Sequence, residues 1–492
     1  MQSLEELKAY VRDIMSLEYV AGILNWDSAT NMPRCAVEQR AVSIGALSVE
    51  LHNRKKSPRI SELLAKIDES QLSQSDQAQV KEIKIFHNRA LKVPEDLARA
   101  IAESTERAEA QWQIALQENS FQLFLPDLKN VIGLKREEGD VLARDGNRYD
   151  ALLSDYETGM TQESLDALFS QLRPRLIALR DKIMGCDRSG TTFTGKFPKE
   201  KQLQLAQLLA QKFGYDLNNG RIDLVVHPFC CGSGKDVRIT TRIDENDPLN
   251  CLYSTIHESG HGSYEQNVRD EYNLTAIGGG TSFGVHESQS RICENQLARS
   301  KYFTQWLFKE FNNTFGEIGS FTEWDFYRYI NQVKKGFIRT ESDEIQYNLH
   351  IILRYELERD LVSGSLEVND LEDAWNQKFK INFGYEVPQP KLGVLQDVHW
   401  SYGLIGYFPT YTLGNVYAGC LYEALQNKYP KLNHYLTKGD PSLATRWLKK
   451  HVQQYGGLKE PKETIQDATG KEISPEPLLR YLEEKFTELY EL

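Results

Sequence analysis

The segment His257-Glu258-Ser259-Gly260-His261 carries the clearest chemistry in the chain. Two imidazoles four residues apart lie one above the other on a helix face, so both can reach a single cation of the zinc type. Glu258, directly after the first, can take the proton of a water whose acidity that cation raises, which makes a nucleophile for amide hydrolysis. The pattern argues for metal-dependent peptide hydrolysis. Glu287 is the expected third ligand, because sites completed by a carboxylate take it from a downstream helix and leave the fourth position open for water and substrate. That helix is expected to begin near Ser282, after the turn Gly278-Gly279-Gly280. His286 precedes Glu287 but points to a different helix face and is not expected to be a ligand.

Several elements must position these groups. Asp247-Pro248 reads as the N-cap and first residue of the metal helix, and Leu249, Leu252, Tyr253 and Ile256 supply apolar positions at helical spacing. Gly260 and Gly262 each cost a helix about 1 kcal/mol relative to Ala, which suits a place where another backbone packs close to the metal. Upstream, 221–226 and 236–243 are rich in Val, Ile and Thr with alternation, so two or three short strands are expected there. A strand edge beside a metal site can bind an extended peptide.

Residues 1–185 are expected to be almost entirely helical, with clear patterns over 59–67, 77–91 and 164–184. Ser3 with Glu6 resembles a capping box, followed by Leu4, Leu7, Val11 and Ile14 at helical spacing. A Ser-, Gly- and Thr-rich loop is expected over 188–196 and a helix over 198–213. Helices resume over 324–383, Pro388 and Pro390 make an extended link into 393–400, and 441–492 is again helical.

Composition narrows the function. A net charge of −12, with no basic stripe, excludes the electrostatic footprint of a nucleic-acid binder. Seven Cys without C-x-x-C spacing fit reduced thiols in the cytoplasm better than a disulfide framework, and Cys230-Cys231 reads as structural. The N-terminus reads as a helix and not as a signal peptide. Residues 402–422 form a run of 21 residues without a charge. Pro409, four Gly and Asn415 argue against a membrane span, so the run is expected to be buried near the active site.

Further strings accompany the metal motif: His227-Pro-Phe229, Asp236-Val-Arg238-Ile-Thr240, His286-Glu-Ser-Gln289, Ile338-Arg-Thr-Glu-Ser-Asp343 and Gly393-Val-Leu-Gln-Asp-Val-His-Trp400. Together with Trp26-Asp27, 156–160 and Tyr407-Phe-Pro409, they make the chain resemble the carboxypeptidase Taq family of metallocarboxypeptidases over nearly its whole length. One departure is Ser342, where the family usually has Ala. The resemblance implies a mainly α fold with a deep cleft, like neurolysin and the angiotensin-converting enzymes, with a small β-sheet next to the metal helix. The whole chain, 1–492, would form one domain, with 1–185 forming one cleft wall and 186–492 carrying the metal site. It also implies one divalent metal per chain, zinc first and cobalt as a substitute; manganese suits the same ligands. A cytoplasmic homodimer that removes single residues from free peptide C-termini is expected, with no nucleic-acid or membrane partner. The 25 residues between His261 and Glu287 match the family's spacing, so His257, His261 and Glu287 carry over as ligands and Glu258 as the base.

The remaining roles are expectations of the same kind. Tyr407 and His399 are candidate donors to the tetrahedral oxyanion, because the converting-enzyme class uses a Tyr and a His downstream of its ligands. Either can equally be a satisfied core group. Arg238 and Arg339 are candidates for holding the substrate carboxylate through a bidentate fork, with structural ion pairs to Asp236 or Asp343 as the other reading. His227 and Gln289 are expected to orient the ligands by hydrogen bonds. Two rival functions stay open, an oligopeptidase cutting within short peptides and a non-catalytic helical binding protein that keeps a metal.

Overall fold

The computed structural model describes residues 2–144, 146–186, 194–317 and 321–492. The chain forms two compact units, one built from Met1–Leu91, Thr191–Ile330 and Leu421–Glu472, the other from Lys92–Gly190, Asn331–Cys420 and Ile473–Leu492. Both are mainly helical, and the one small sheet among the described residues lies in the first.

The first helix, Gln2–Thr30, buries Leu4, Leu7, Val11 and Ile14, the apolar face that the sequence spacing marks. Ser3 lies inside its first turn, so the expected capping box is not made. Further helices at Gln74–Lys92, Gln162–Met184 and Lys199–Lys212 follow their patterns, whereas Pro58–Leu64 stops short of the expected 67. Residues 188–193 of the expected loop lie outside the described residues.

The sheet has the order β1 (Gly220–Leu224), β3 (Asp236–Thr241), β2 (Cys230–Ser233). β1 runs parallel to β3 and β2 antiparallel to it. The β2–β3 hairpin turns through Gly234-Lys235, with Gly234 at φ +60°, where a side chain is disfavoured. Val237 and Ile239 of β3 are fully buried with Tyr215 and Ala210. Tyr215 donates from its hydroxyl to the Val237 carbonyl at 2.6 Å, which fixes the sheet beneath the metal helix.

The metal helix, Pro248–Asn267, has Pro248 in its first turn as expected, although the Asp247 side chain makes no cap hydrogen bond. Leu249, Leu252, Tyr253 and Ile256 are all buried. A Cβ built on Gly260 would stand 2.4 Å from the Gln289 carbonyl oxygen and 2.5 Å from the Ser290 Cα. One on Gly262 would stand 2.8 Å from the Tyr215 ring and 2.9 Å from Ile239. Both glycines therefore mark close approaches, Gly260 to the backbone of the helix Phe283–Arg291.

The helical run expected over 324–383 is broken between Ile330 and Gln346, where the second unit resumes. Side chains take over the backbone's hydrogen bonds there. Tyr385 donates to the Gly336 carbonyl at 2.6 Å and accepts from its amide, while Gln396 accepts from the Arg339 amide and donates to the Phe337 carbonyl. Asp343 accepts from the amides of Ile345 and Gln346, and the Ser342 hydroxyl is satisfied by the Ile338 carbonyl at 3.1 Å. The uncharged run ends in the helix Pro409–Lys428, whose residues up to Tyr422 are almost all buried. Among the described residues no helix is long and apolar enough to cross a membrane.

Gly260→Ala is expected to lower the melting temperature of the metal-free protein. Overpacking against backbone costs about 1–3 kcal/mol and exceeds the roughly 1 kcal/mol that Ala contributes to a helix. Gly22→Ala, in the first helix with no atom within 4 Å of the added Cβ, is expected to raise it. Circular-dichroism melts decide the sign of each, and a Gly260→Ala protein as stable as the parent would contradict the close crossing.

Candidate metal centre

The crossing at Gly260 lays the helix Phe283–Arg291 across the metal helix. Its Ser282 hydroxyl caps the Val285 amide at 3.1 Å, which starts the helix one residue after the position expected from sequence. Glu287 on this helix points its carboxylate at both imidazoles. Its Oε2 lies 3.6 Å from His257 Nε2 and 3.2 Å from His261 Nε2, and the three ligand atoms fall within 4.8 Å of one another. Bonds of about 2.0–2.1 Å in a tetrahedron imply ligand separations of about 3.3 Å, so this spacing fits a divalent cation. Arg291 Nε donates to Glu287 Oε1 at 2.6 Å, which leaves Oε2 to face the imidazoles.

Each imidazole is held from behind. With Nε2 turned to the metal position, His257 Nδ1 donates to Glu294 Oε2 at 2.9 Å. His261 Nδ1 donates to His286 Nδ1 at 2.5 Å, and His286 Nε2 donates to Glu265 Oε1 at 2.8 Å. Glu265 also accepts from the Gly280 amide, which ties the glycine turn to this relay. Such partners fix the tautomer and the ring orientation of a ligand histidine.

The electrostatics of the metal-free protein follow from burial among charges. Burial pushes the Glu287 carboxyl up, but Arg291 and then the imidazoles outweigh it and hold it well below the usual range. Burial likewise opposes Glu294, yet His257, Arg291 and Arg299 bring it down to about 2. His261 is pushed down to about 3 by burial, with His286 and His257 adding to the effect. His257 is raised, because Glu287 and Glu294 outweigh its burial. Glu258 is pushed up to about 7 by burial, and its Oε2 has no hydrogen-bond partner among the described residues. A buried carboxylate oxygen with no hydrogen-bond partner, on the residue that follows His257, is available to a proton.

The other expected residues fall into different settings. Arg238, in the first unit, forms a bidentate pair with Asp236 at 2.9 Å for both bonds and stacks 4.1 Å over Trp26. This is the ion pair named as its alternative. Arg339, in the second unit, is buried and binds Asp397 and the Tyr347 hydroxyl, not Asp343. Arg354 holds the other Asp397 oxygen at 2.5 Å. His399 Nε2 pairs with the Tyr411 hydroxyl at 3.1 Å and its ring centroid lies 5.5 Å from that of Tyr407. Burial, then Arg339 and Arg354, push His399 down to about 3, so its ring is neutral near pH 7.

Two expected orienting groups do not touch the ligands. His227 is exposed in the bend between β1 and β2 and has no hydrogen bond to a ligand among the described residues. Gln289 is fully buried, but its side-chain amide pairs with Gln453 at 3.0 Å and with Ser288 at 3.0 Å, while its backbone carbonyl stands against Gly260 of the metal helix. The groups that do orient the imidazoles, Glu294, His286 and Glu265, were not among the expected ones. Glu287, Arg291 and Glu294 recur at i, i+4 and i+7, a spacing that puts all three on one helix face and could have revealed Glu294. The helix widens into a π-helical segment, Ile292–Ala298, where Glu294 lies.

The sequence profile of the carboxypeptidase Taq (M32) metallopeptidases matches residues 6–486. The chain belongs to this family. It is 37% identical to carboxypeptidase 1 of Bacillus subtilis (strain 168), over 95% of each chain. It is also 37% identical to thermostable carboxypeptidase 1 of Thermus thermophilus, over 99% of this chain and 98% of that one. The crystal structure of the M32 carboxypeptidase from Deinococcus radiodurans R1 superposes over 100% of both chains with a TM-score of 0.96 at 35% identity. This M32 member is thus a metallocarboxypeptidase, and its family implies a divalent metal and peptide substrates.

Glu294→Gln is expected to weaken metal binding by about 10–100-fold, the usual effect of removing an orienting partner. Competition with a chromophoric chelator reads the affinity, with circular dichroism as the control for folding. An unchanged affinity would remove Glu294 from the site.

Proposed function

We propose that this metallopeptidase removes single residues from the free C-termini of peptides with a site of the HExxH-plus-Glu type, the arrangement of the gluzincins. His257, His261 and Glu287 hold the metal, and zinc suits two imidazoles and a carboxylate best, with cobalt or manganese able to replace it. A cation there supplies a Lewis acid and brings the pKa of water toward neutrality. Glu258 accepts the proton of the attacking water and returns it to the leaving amine. The observation that carries this reading is the partnerless, buried Oε2 of Glu258 beside ligand atoms within 4.8 Å of one another.

Tyr407 and His399 take the role of donors to the oxyanion, supported by a neutral His399 ring whose Nε2 already pairs with a hydroxyl. Arg238 or Arg339 holds the substrate carboxylate. The Asp236 pair engages Nε and Nη2 of Arg238 and leaves Nη1 for a substrate oxygen, whereas Asp397 and Tyr347 engage all three nitrogens of Arg339. Exchange of either for Lys should raise KM for peptides with a free carboxylate if it fills this role. His227 and Gln289 support the site at most through the backbone around them. A single catalytic domain, a neurolysin-like cleft, a homodimer and a cytoplasmic location complete the reading; seven free thiols support the last.

Mass spectrometry of an N-blocked peptide and its C-terminally amidated twin tests the function. The expected result is a ladder losing one C-terminal residue at a time from the free peptide alone, abolished by chelator and restored by zinc or cobalt. Glu258→Gln should keep the metal and lower kcat by about 10²–10⁴-fold. Internal cuts in both peptides would mean an oligopeptidase, and no cleavage with any metal would mean a binding protein.

A further inference from the structure

One buried carboxylate in the second unit has three donors and no cation hydrogen-bonded to it among the described residues. Glu358, on the helix Gln346–Ser363, is fully buried. Its Oε1 accepts from Trp400 Nε1 at 2.9 Å. Its Oε2 accepts from the Gly406 amide at 3.1 Å and from the Tyr149 hydroxyl at 3.0 Å. Burying a carboxylate is costly, and three converging donors are the usual compensation. Two of these donors belong to one loop. Trp400 directly follows His399, and Gly406 directly precedes Tyr407.

The same loop is pressed from a second side. Gly406 has φ +89°, and a Cβ there would stand 2.9 Å from both the Cα and the amide nitrogen of Leu153. Leu153 ends the short helix Arg148–Leu153, which also carries Tyr149, the third donor to Glu358. Within the loop, Leu404 donates its amide to the His399 carbonyl at 3.0 Å and Gly403 its amide to the Trp400 carbonyl at 3.1 Å. The Trp400 indole is wedged edge-on against Trp375 and Phe408, with ring centroids 5.9 and 6.2 Å away. The two ends of the loop are thus tied to Glu358 directly, and the Gly406 end also to the helix that Glu358 grips through Tyr149.

We infer that Glu358 is a positioning residue, clamping the 399–407 loop at both ends and thereby fixing where the His399 ring and the Tyr407 hydroxyl stand. The inference rests on the roles proposed for His399 and Tyr407. It assigns Glu358 no contact with substrate or metal. Glu358 acts by geometry: its carboxylate selects a loop conformation in which an indole N–H and a backbone N–H, six residues apart, meet on one group. A displacement of about 1 Å at a reacting group costs on the order of 10²-fold in rate, so the clamp has kinetic consequences.

The exchange Glu358→Gln separates this from a purely structural role, because it keeps size and removes one acceptor. An amide oxygen at the Oε2 position keeps Tyr149 and Gly406, while the amide nitrogen then faces the Trp400 N–H, donor against donor. The expected result is a kcat about 10- to 100-fold lower, with KM and metal content close to those of the parent. In a Tyr407→Phe, His399→Gln background, Glu358→Gln should cause no further loss, since groups acting through one another are non-additive. Melting curves accompany every variant.

A lowered melting temperature with kcat unchanged overturns the inference, as does a loss that multiplies fully with that of Tyr407→Phe and His399→Gln. If Tyr407→Phe and His399→Gln themselves leave kcat unchanged, the proposed roles of those residues fail and the clamp's function fails with them. If they lower kcat and Glu358→Gln does not, only the clamp fails.

Discussion

The metal centre depends on a helix crossing that only a residue without a side chain permits. Gly260 stands between the two imidazoles in sequence, and the backbone of Gln289 and Ser290 fills the space its Cβ would occupy. Two helices packed through ordinary side chains lie about 8–10 Å apart. Here the helices cross through the glycine, and Glu287 Oε2 comes within 3.2 Å of His261 Nε2. The spacing of His257 and His261 puts two imidazoles on one helix face from local geometry alone; the crossing brings the Glu287 carboxylate to them, and the helix penalty of the glycine is the cost of it.

Gathering so many ionisable groups out of water requires compensation of charge by charge. Around the imidazoles, Glu287 and Glu294 are balanced by Arg291 and Arg299, so the acceptors stay ionised despite burial. Glu258 has no such partner for its Oε2 among the described residues. This asymmetry separates the carboxylates chemically. Those paired with arginines are held ionised, and burial pushes the one without an arginine partner up to about 7. The second unit repeats the device around Asp397, where Arg339 and Arg354 share one carboxylate and His399 stays neutral beside them.

Much of this was legible in the sequence because it depends on short-range periodicity. The metal helix, its Pro248 start and the sheet before it follow from patterns within a few residues of each other, and Glu287 follows from the family's spacing after His261. The glycines at 260 and 262 even signalled the close packing. What remained hidden depends on partners distant in the chain. Glu265 reaches His261 only through His286, across the turn at 278–280. Gln289 looked like a support for the ligands but pairs with Gln453, 164 positions later. An ion pair of Arg339 with Asp343 is the alternative that the sequence offers, yet Asp343 accepts from the amides that open the next helix and Asp397 holds the guanidinium. The gap in the helices between Ile330 and Gln346 was invisible for the same reason, since Tyr385 and Gln396 supply its hydrogen bonds.

X-ray absorption spectroscopy of the zinc-reconstituted protein tests most directly whether the crossing delivers the third ligand. The expected result is one zinc per chain, with two imidazoles and light oxygen-type ligands, and loss of one oxygen ligand with a large fall in affinity in Glu287→Ala. A spectrum requiring three imidazoles would put His286 in the coordination sphere, and a Glu287→Ala protein with the parent's spectrum and affinity would leave the carboxylate outside it; either would contradict the account.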